Sequence, residues 1–285
     1  ENTSYTAFIN ATIIDGTGFS QNKPVIPWIT TAELYSANVG DSFLISVALP
    51  EGYDSNKEYP VVYLTDPRFA FGTAVESARA HAIDGNIPPV ILIGIGYPGS
   101  QDFGRIMQLR SRDFSTVSDP EVPGGWPAWA ADIEWGGADA FLAFIETELI
   151  PYVEKNYSVS DDRTYMGWSG GGCFGNYLLF EKPGLFNRYL IASAPFEWFH
   201  HGIAFDYEEE YAKNFNSLEA KVFFTVGSAE SESTQESNAR MARILKDRNY
   251  NGLEVYTKIF ENKKHYSVWP VAVNEGLQVL FQESK

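Results

Sequence analysis

The stretch Gly167-Trp168-Ser169-Gly170-Gly171 constrains the fold more tightly than any other part of the chain. It follows a β-capable segment, Asp161-Asp162-Arg163-Thr164-Tyr165-Met166, that opens from a turn. It precedes Gly172-Cys173-Phe174-Gly175-Asn176-Tyr177-Leu178-Leu179-Phe180, whose apolar positions recur at helical spacing. A serine held between strand and helix, with glycine two positions to either side, is the pattern of a nucleophile elbow. The turn is so sharp that side chains at those flanking positions would clash. The helix beyond it aims its N-terminal N–H groups at any oxyanion forming on a bound carbonyl.

The rest of the chain reads as a sheet covered on both faces. Pro60-Val61-Val62-Tyr63-Leu64 and Val90-Ile91-Leu92-Ile93-Gly94-Ile95-Gly96 are short, nearly continuous apolar runs, as expected of central strands. Further strands fit Trp28 to Tyr35, Phe43 to Leu49, Arg188 to Ser193, Lys221 to Val226 and Leu253 to Phe260. Helical patterns cover Phe71 to Ile83, Gly137 to Asn156, Gly170 to Glu181, Ser233 to Asn249 and Val268 to Gln282. From Pro60 onward strands and helices alternate, which implies an α/β fold with a mostly parallel sheet and right-handed crossovers. No break in composition marks a second domain, so residues 1–285 are read as one. Residues 1–22 are expected to form an N-terminal arm or hairpin. Two long connections, 97–136 and 195–217, lack periodicity and are expected to shape a pocket. The first carries Trp126, Trp129 and Trp135 with Arg105, Arg110 and Arg112.

A formal charge of −16 argues against nucleic acid and anionic membrane surfaces as partners. No apolar run reaches the ~18 residues of a membrane span. The single cysteine, Cys173, excludes an internal disulfide and a cysteine-based metal cage; it falls on the helix after Ser169 and is expected to be packed. No metal or organic cofactor is implied. The chain opens at Glu1 without methionine, which fits a processed export signal and leaves periplasmic, secreted and cytoplasmic locations open. Nothing in the sequence specifies an oligomeric state.

A serine hydroxyl needs a base, and the chain has four histidines. His81 lies upstream of the elbow and is in the wrong order for a strand-turn-helix nucleophile. His200 and His201 are adjacent, with no strand between them and the preceding aromatic run. His265 follows the last strong strand and precedes the C-terminal helix, and it is the expected base. The acid that orients it should follow strand 221–226; Glu230 is first in line, with Glu232 and Glu236 close behind. Two backbone donors should line an oxyanion hole. Gly170 supplies one, and the turn Asp66-Pro67-Arg68 the other. Pro67 has no N–H, so the donor there is Arg68, with Asp66 bracing the turn or meeting substrate.

These residues sit in a chain that resembles the "putative esterase" branch of the α/β-hydrolases, which includes enterochelin and salmochelin esterases and, more distantly, esterase D and the mycolyltransferases. The resemblance runs from about Pro60 to the C-terminus. It is carried by Tyr59 to Asp66, Gly94-Ile95-Gly96-Tyr97, Arg112-Asp113, Gly137 to Leu142, Glu148 to Tyr152, the elbow, Ser193-Ala194-Pro195 with Trp198, and His265 to Pro270. It implies an α/β-hydrolase fold, Ser169 as nucleophile, His265 as base, and Arg68 with Gly170 as oxyanion donors. Asp66, Trp168, Trp198 and Arg112 are the residues expected to meet substrate. Some siderophore esterases of this branch work with a serine–histidine pair alone, which leaves the acid open. The chain departs from the family pattern at Asp66-Pro67, where Asp-Gly is usual, and at Ser193-Ala194-Pro195, where serine–proline–serine is common. The function expected is a serine esterase acting on a small-molecule ester, of siderophore or aryl type, through an acyl-enzyme. An acyltransferase would use the same groups, and a catalytically inactive binding protein would share the fold. An anionic iron chelate would need Arg68, Arg105, Arg110 and Arg112 to gather at the mouth of the site.

Overall fold

A computed structural model of the chain describes residues 13–14, 18–19, 29–99, 102–118, 128–197 and 202–282. Strands β1 (Ile13–Ile14) and β2 (Gly18–Phe19) pair antiparallel as a small hairpin. The main sheet has eight strands: β3 (Ile29–Ser36), β4 (Asp41–Ala48), β5 (Tyr59–Thr65), β6 (Ile91–Gly96), β7 (Val159–Trp168), β8 (Arg188–Ala192), β9 (Ser217–Gly227) and β10 (Asn251–Phe260). Their spatial order is β10-β9-β8-β7-β5-β6-β4-β3, and every pairing from β6 through β5 to β10 is parallel. Only β3 and β4 run antiparallel to their neighbours.

Side chains alternate across the central strands with the two-residue period of a pleated sheet. Val61, Tyr63, Tyr165, Tyr189 and Phe224 point into one core, and Val62, Leu64, Met166, Leu190 and Phe223 into the other. The second core is closed by α1 (Pro67–Ile83) and by α8 (His265–Phe281), whose Trp269 is fully buried. The first is closed by Phe114 at the end of α2 (Phe103–Phe114) and by the continuous helical stretch α3 (Ala138–Phe144), a π turn at Ile145–Leu149, and α4 (Ile150–Asn156). The same core is covered by α5 (Gly170–Glu181), α6 (Ile203–Asn214) and α7 (Glu232–Arg248).

Two of the helices lie where the sequence shows no periodicity. α2 falls in the 97–136 connection, which also holds a 3-10 turn at Ala128–Asp132, and α6 falls in 195–217. Both bury charge among their apolar residues. Arg110 and Asp113 of α2 are 4% and 0% exposed, and Glu208 of α6 is 2% exposed. Their partners come from distant positions: Asp66 for Arg110, and Arg248 with Tyr250 for Glu208. A buried ionic residue breaks the apolar stripe that identifies an amphipathic helix. No helix among the described residues is long and apolar enough to cross a membrane.

Candidate active site

The site is assembled at the carboxyl ends of β7, β5, β9 and β10. β7 runs into Ser169, which sits at φ 56° and ψ −124°, a backbone region that residues with a Cβ rarely enter. The turn tolerates nothing larger than glycine two positions to either side of the serine. A Cβ on Gly167 would lie 2.1 Å from the Gly171 carbonyl oxygen, and one on Gly171 would lie 2.7 Å from Thr65 Oγ1. Two hydrogen bonds to backbone carbonyls hold the conformation: Ser169 N–H donates to the Ala192 carbonyl (2.8 Å), and Tyr165 O–H donates to the Gly171 carbonyl (2.8 Å). Cys173 is buried one turn into α5, and burial pushes its thiol pKa up, so it stays a neutral packing group.

His265 opens α8, directly after the turn that follows β10. Its Nε2 lies 3.0 Å from Ser169 Oγ, and its Nδ1 lies 2.7 Å from Glu230 Oε2. Glu230 follows β9, and its side chain is 2% exposed. Burial raises the pKa of such a carboxyl, but the hydrogen bonds from His265, Ser193 and the Gly227 N–H outweigh it and hold Glu230 below the usual glutamate range. The distances are 2.6 Å from Ser193 Oγ and 2.8 Å from Gly227 N, both to Oε1. Because an ionised carboxylate only accepts, Nδ1 of His265 must donate, which leaves Nε2 of the neutral ring as an acceptor facing Ser169. Glu232 and Glu236 are exposed on α7 and take no part in this chain of contacts.

Trp168 stands behind His265. Its ring centroid is 4.6 Å from that of His265, and its Nε1–H donates to the His265 carbonyl at 2.8 Å. At 3% exposure it has almost no surface to offer a ligand, so the expectation that it meets substrate gives way to a supporting position. Asp66 and Arg112 are likewise engaged with protein. Asp66 occupies a left-handed conformation (φ 56°) at the start of α1, and both its carboxylate oxygens receive bonds from Arg110, at 2.8 and 2.7 Å. Arg112 pairs with Asp113 and Asp41. Trp198, His200, His201 and Trp126 lie outside the described residues.

Arg110 joins two parts of the site. Besides Asp66 it reaches the Trp168 carbonyl at 3.5 Å, and its guanidinium lies over Phe114, 5.1 Å from the ring centroid. It therefore ties the turn that carries Arg68 to the turn that carries Ser169. Phe69 adds an apolar link, edge-on to Trp168 with 5.5 Å between centroids. Arg68 and Gly170 are in the first turns of α1 and α5, where backbone N–H groups have no intrahelical acceptor. A cavity of about 370 Å³ runs along the N-terminus of α1, with Asp66, Arg68, Phe69 and Tyr97 in its wall. Of the four arginines that an anionic chelate would need at the mouth, Arg110 and Arg112 are consumed in ion pairs, while Arg68 and Arg105 are exposed. His81 is remote, against Asn274 of α8.

Ser193 and Gly227 are parts of the site that motif reading did not assign. Ser193 is left-handed (φ 49°) at the end of β8, and a Cβ on Gly227 would fall 2.1 Å from the Lys263 carbonyl oxygen. A serine directly after a strand is the only sequence signal for the first, and a glycine closing β9 for the second.

Comparison with known proteins identifies the family. The family model described as "Putative esterase" matches residues 36–279. The ferri-bacillibactin esterase BesA of Bacillus subtilis is 30% identical over 280 residues, covering 92% of each chain. Among solved structures, the BES protein from Bacillus cereus superposes with a TM-score of 0.81 at 27% identity, over 93% of this chain and 100% of that one. An IroE-like serine hydrolase from Shewanella oneidensis gives a TM-score of 0.77 at 25% identity, over 89% and 80%. The chain thus belongs to this esterase family of the α/β-hydrolase fold, and it is a serine hydrolase of carboxylic esters.

Proposed function

We propose that Ser169, His265 and Glu230 are the nucleophile, base and orienting acid of this esterase, and that its substrate is a siderophore ester. The observation that carries the first part is the unbroken chain Ser169 Oγ–His265 Nε2, 3.0 Å, and His265 Nδ1–Glu230 Oε2, 2.7 Å. As Ser169 Oγ bonds to the ester carbon, its proton passes to Nε2 and the carbonyl electrons move onto oxygen. The backbone N–H groups of Gly170 and Arg68 receive that oxyanion. When the intermediate collapses, the ester C–O bond breaks and the departing alkoxide takes the proton from Nε2, leaving as an alcohol. A water then gives a proton to His265 and attacks the acyl-serine; Ser169 recovers its proton and the acid departs. Glu230 stays ionised throughout and stabilises the imidazolium formed in each half. The His265 side chain is 38% exposed, so water reaches it.

The substrate class rests on the relatives, whose names include a ferri-bacillibactin esterase and a siderophore triacetylfusarinine C esterase from Aspergillus fumigatus. Exposed Arg68 lines the α1 cavity, and exposed Arg105 precedes Ile106 of its wall in the chain, which offers an otherwise acidic protein a local cationic lip for an anionic chelate. The test is to offer the wild-type protein and Ser169→Ala both ferri-bacillibactin and p-nitrophenyl butyrate, following siderophore fragments by chromatography. Cleavage of both by wild type and neither by the variant is expected. Cleavage of the aryl ester alone would overturn the substrate class, and an active Ser169→Ala would overturn the nucleophile.

A further inference from the structure

β10 is the last strand of the sheet, and among the described residues nothing pairs with its outer edge. It is ten residues long, and Tyr256 and Ile259 on it are 37% and 55% exposed. Soluble proteins usually blunt such an edge with a short strand, a proline, a bulge or charged side chains; β10 is long and proline-free, and its charges are Glu254 and Lys258. The direction of its free hydrogen-bonding groups can be read from one bond: the Phe260 carbonyl accepts from Ser228 N–H at the end of β9. By the alternation of a strand, Phe260, Lys258, Tyr256 and Glu254 face β9, and Val255, Thr257 and Ile259 turn their N–H and C=O groups outward.

We infer that this edge is a self-complementary interface, and that two copies of the chain pair antiparallel through β10 about a two-fold axis at Tyr256. In that register Glu254 falls opposite Lys258 of the other copy, twice by symmetry. Val255 falls opposite Thr257 with their outward backbone groups matched. Leu253 falls opposite Ile259, which covers the most exposed apolar side chain of the strand. One face thus sets charge against opposite charge, and the other sets Leu253 against Ile259 and the two β-branched residues Val255 and Thr257 against each other, as an isologous contact allows. Lys258 also pairs with Glu275 of α8, and Glu254 lies 3.8 Å from Lys221, so both charges are already oriented beside the edge. The outcome is one sheet running through both copies, with β9 and β8 standing between the joined β10 strands and the β7 strand that ends at Ser169.

The mass in solution, measured by light scattering after size exclusion and by sedimentation, tests this. Wild type is expected to be a dimer; Glu254→Lys and Lys258→Glu alone each set like charges opposite one another and should raise the dimer dissociation constant about tenfold. Mixed together, those two variants regain opposite charges in the heterodimer and should associate as tightly as wild type, which intrachain effects of either substitution would not produce. Tyr256→Cys should form a disulfide-linked dimer on oxidation, because the axis brings that position against itself; the native Cys173 is buried. A monomeric wild type, single variants that dimerise as well as wild type, or a mixture no tighter than its components would each overturn the inference.

Discussion

Arg110→Met is the most searching perturbation of the site, because Arg110 touches neither the serine nor the base. The guanidinium is 4% exposed and donates two bonds to Asp66, whose side chain is 2% exposed. Removing it leaves a buried carboxylate without a counter-ion, which costs about 3–5 kcal/mol in comparable buried pairs. Against a total stability of roughly 5–15 kcal/mol that is a large fraction. At about 2–4 °C per kcal/mol, the melting temperature should fall by roughly 6–20 °C. Activity should fall further than stability explains. Asp66 holds a left-handed conformation close to Arg68, the proposed oxyanion donor, and Arg110 also reaches the Trp168 carbonyl. Loss of one oxyanion donor costs about 10²–10³ in kcat. The assay is thermal unfolding followed by circular dichroism, with p-nitrophenyl butyrate kinetics measured well below the transition. Adding Asp66→Asn to Arg110→Met removes the orphaned charge, so the pair should recover most of the stability but little of the activity. A single variant within about 0.5 kcal/mol of wild type and with unchanged kcat would refute the strut.

Ser169→Ala should lower turnover of p-nitrophenyl butyrate by at least ~10³-fold with little change in melting temperature. Glu230→Gln should cost roughly 10³–10⁴ in kcat, since an amide facing Nδ1 no longer enforces the tautomer that leaves Nε2 free to accept; a smaller loss, with the serine and histidine still essential, would mean a working pair without the acid. Because the folded pKa of Glu230 lies below the ordinary value of 4.5, its bonds stabilise the protein above that pH and are lost as pH falls through the folded value. The gap in melting temperature between wild type and Glu230→Gln should accordingly close in acid; a gap that is constant with pH would contradict this. Trp168→Phe keeps the ring against His265 and removes one hydrogen bond worth about 1 kcal/mol, so kcat should drop about fivefold at most.

The sheet was largely legible in the sequence because its strands are buried on both faces. Val61 to Leu64 and Ile91 to Ile95 carry the fold's signal in their own side chains, and the period-two split between two cores merely sorts them. The elbow was legible for a different reason: Gly167 and Gly171 are demanded by a local turn with no room for a Cβ. A feature fixed by its own neighbours leaves its mark in adjacent letters. Chain order did the same for His265 and Glu230, each of which follows a strand end where the pattern of the fold calls for a base or an acid.

The tertiary structure decided whatever depends on pairs distant along the chain. Asp66 and Arg110, separated by 44 positions, meet only once β5 and α2 are brought beside the elbow. That pairing engages Asp66 in bracing its turn, one of the two roles open to it in the sequence, and it hid α2 from periodicity because a charge in the core is satisfied by a partner the sequence does not place next to it. The choice of Glu230 over Glu232 and Glu236 was of the same kind. All three follow β9, but only Glu230 receives the Ser193 hydroxyl and the Gly227 N–H as well as His265. Local sterics and burial are written residue by residue; electrostatic satisfaction is a property of the folded chain, since in water each of these charges is solvated and has no preferred partner.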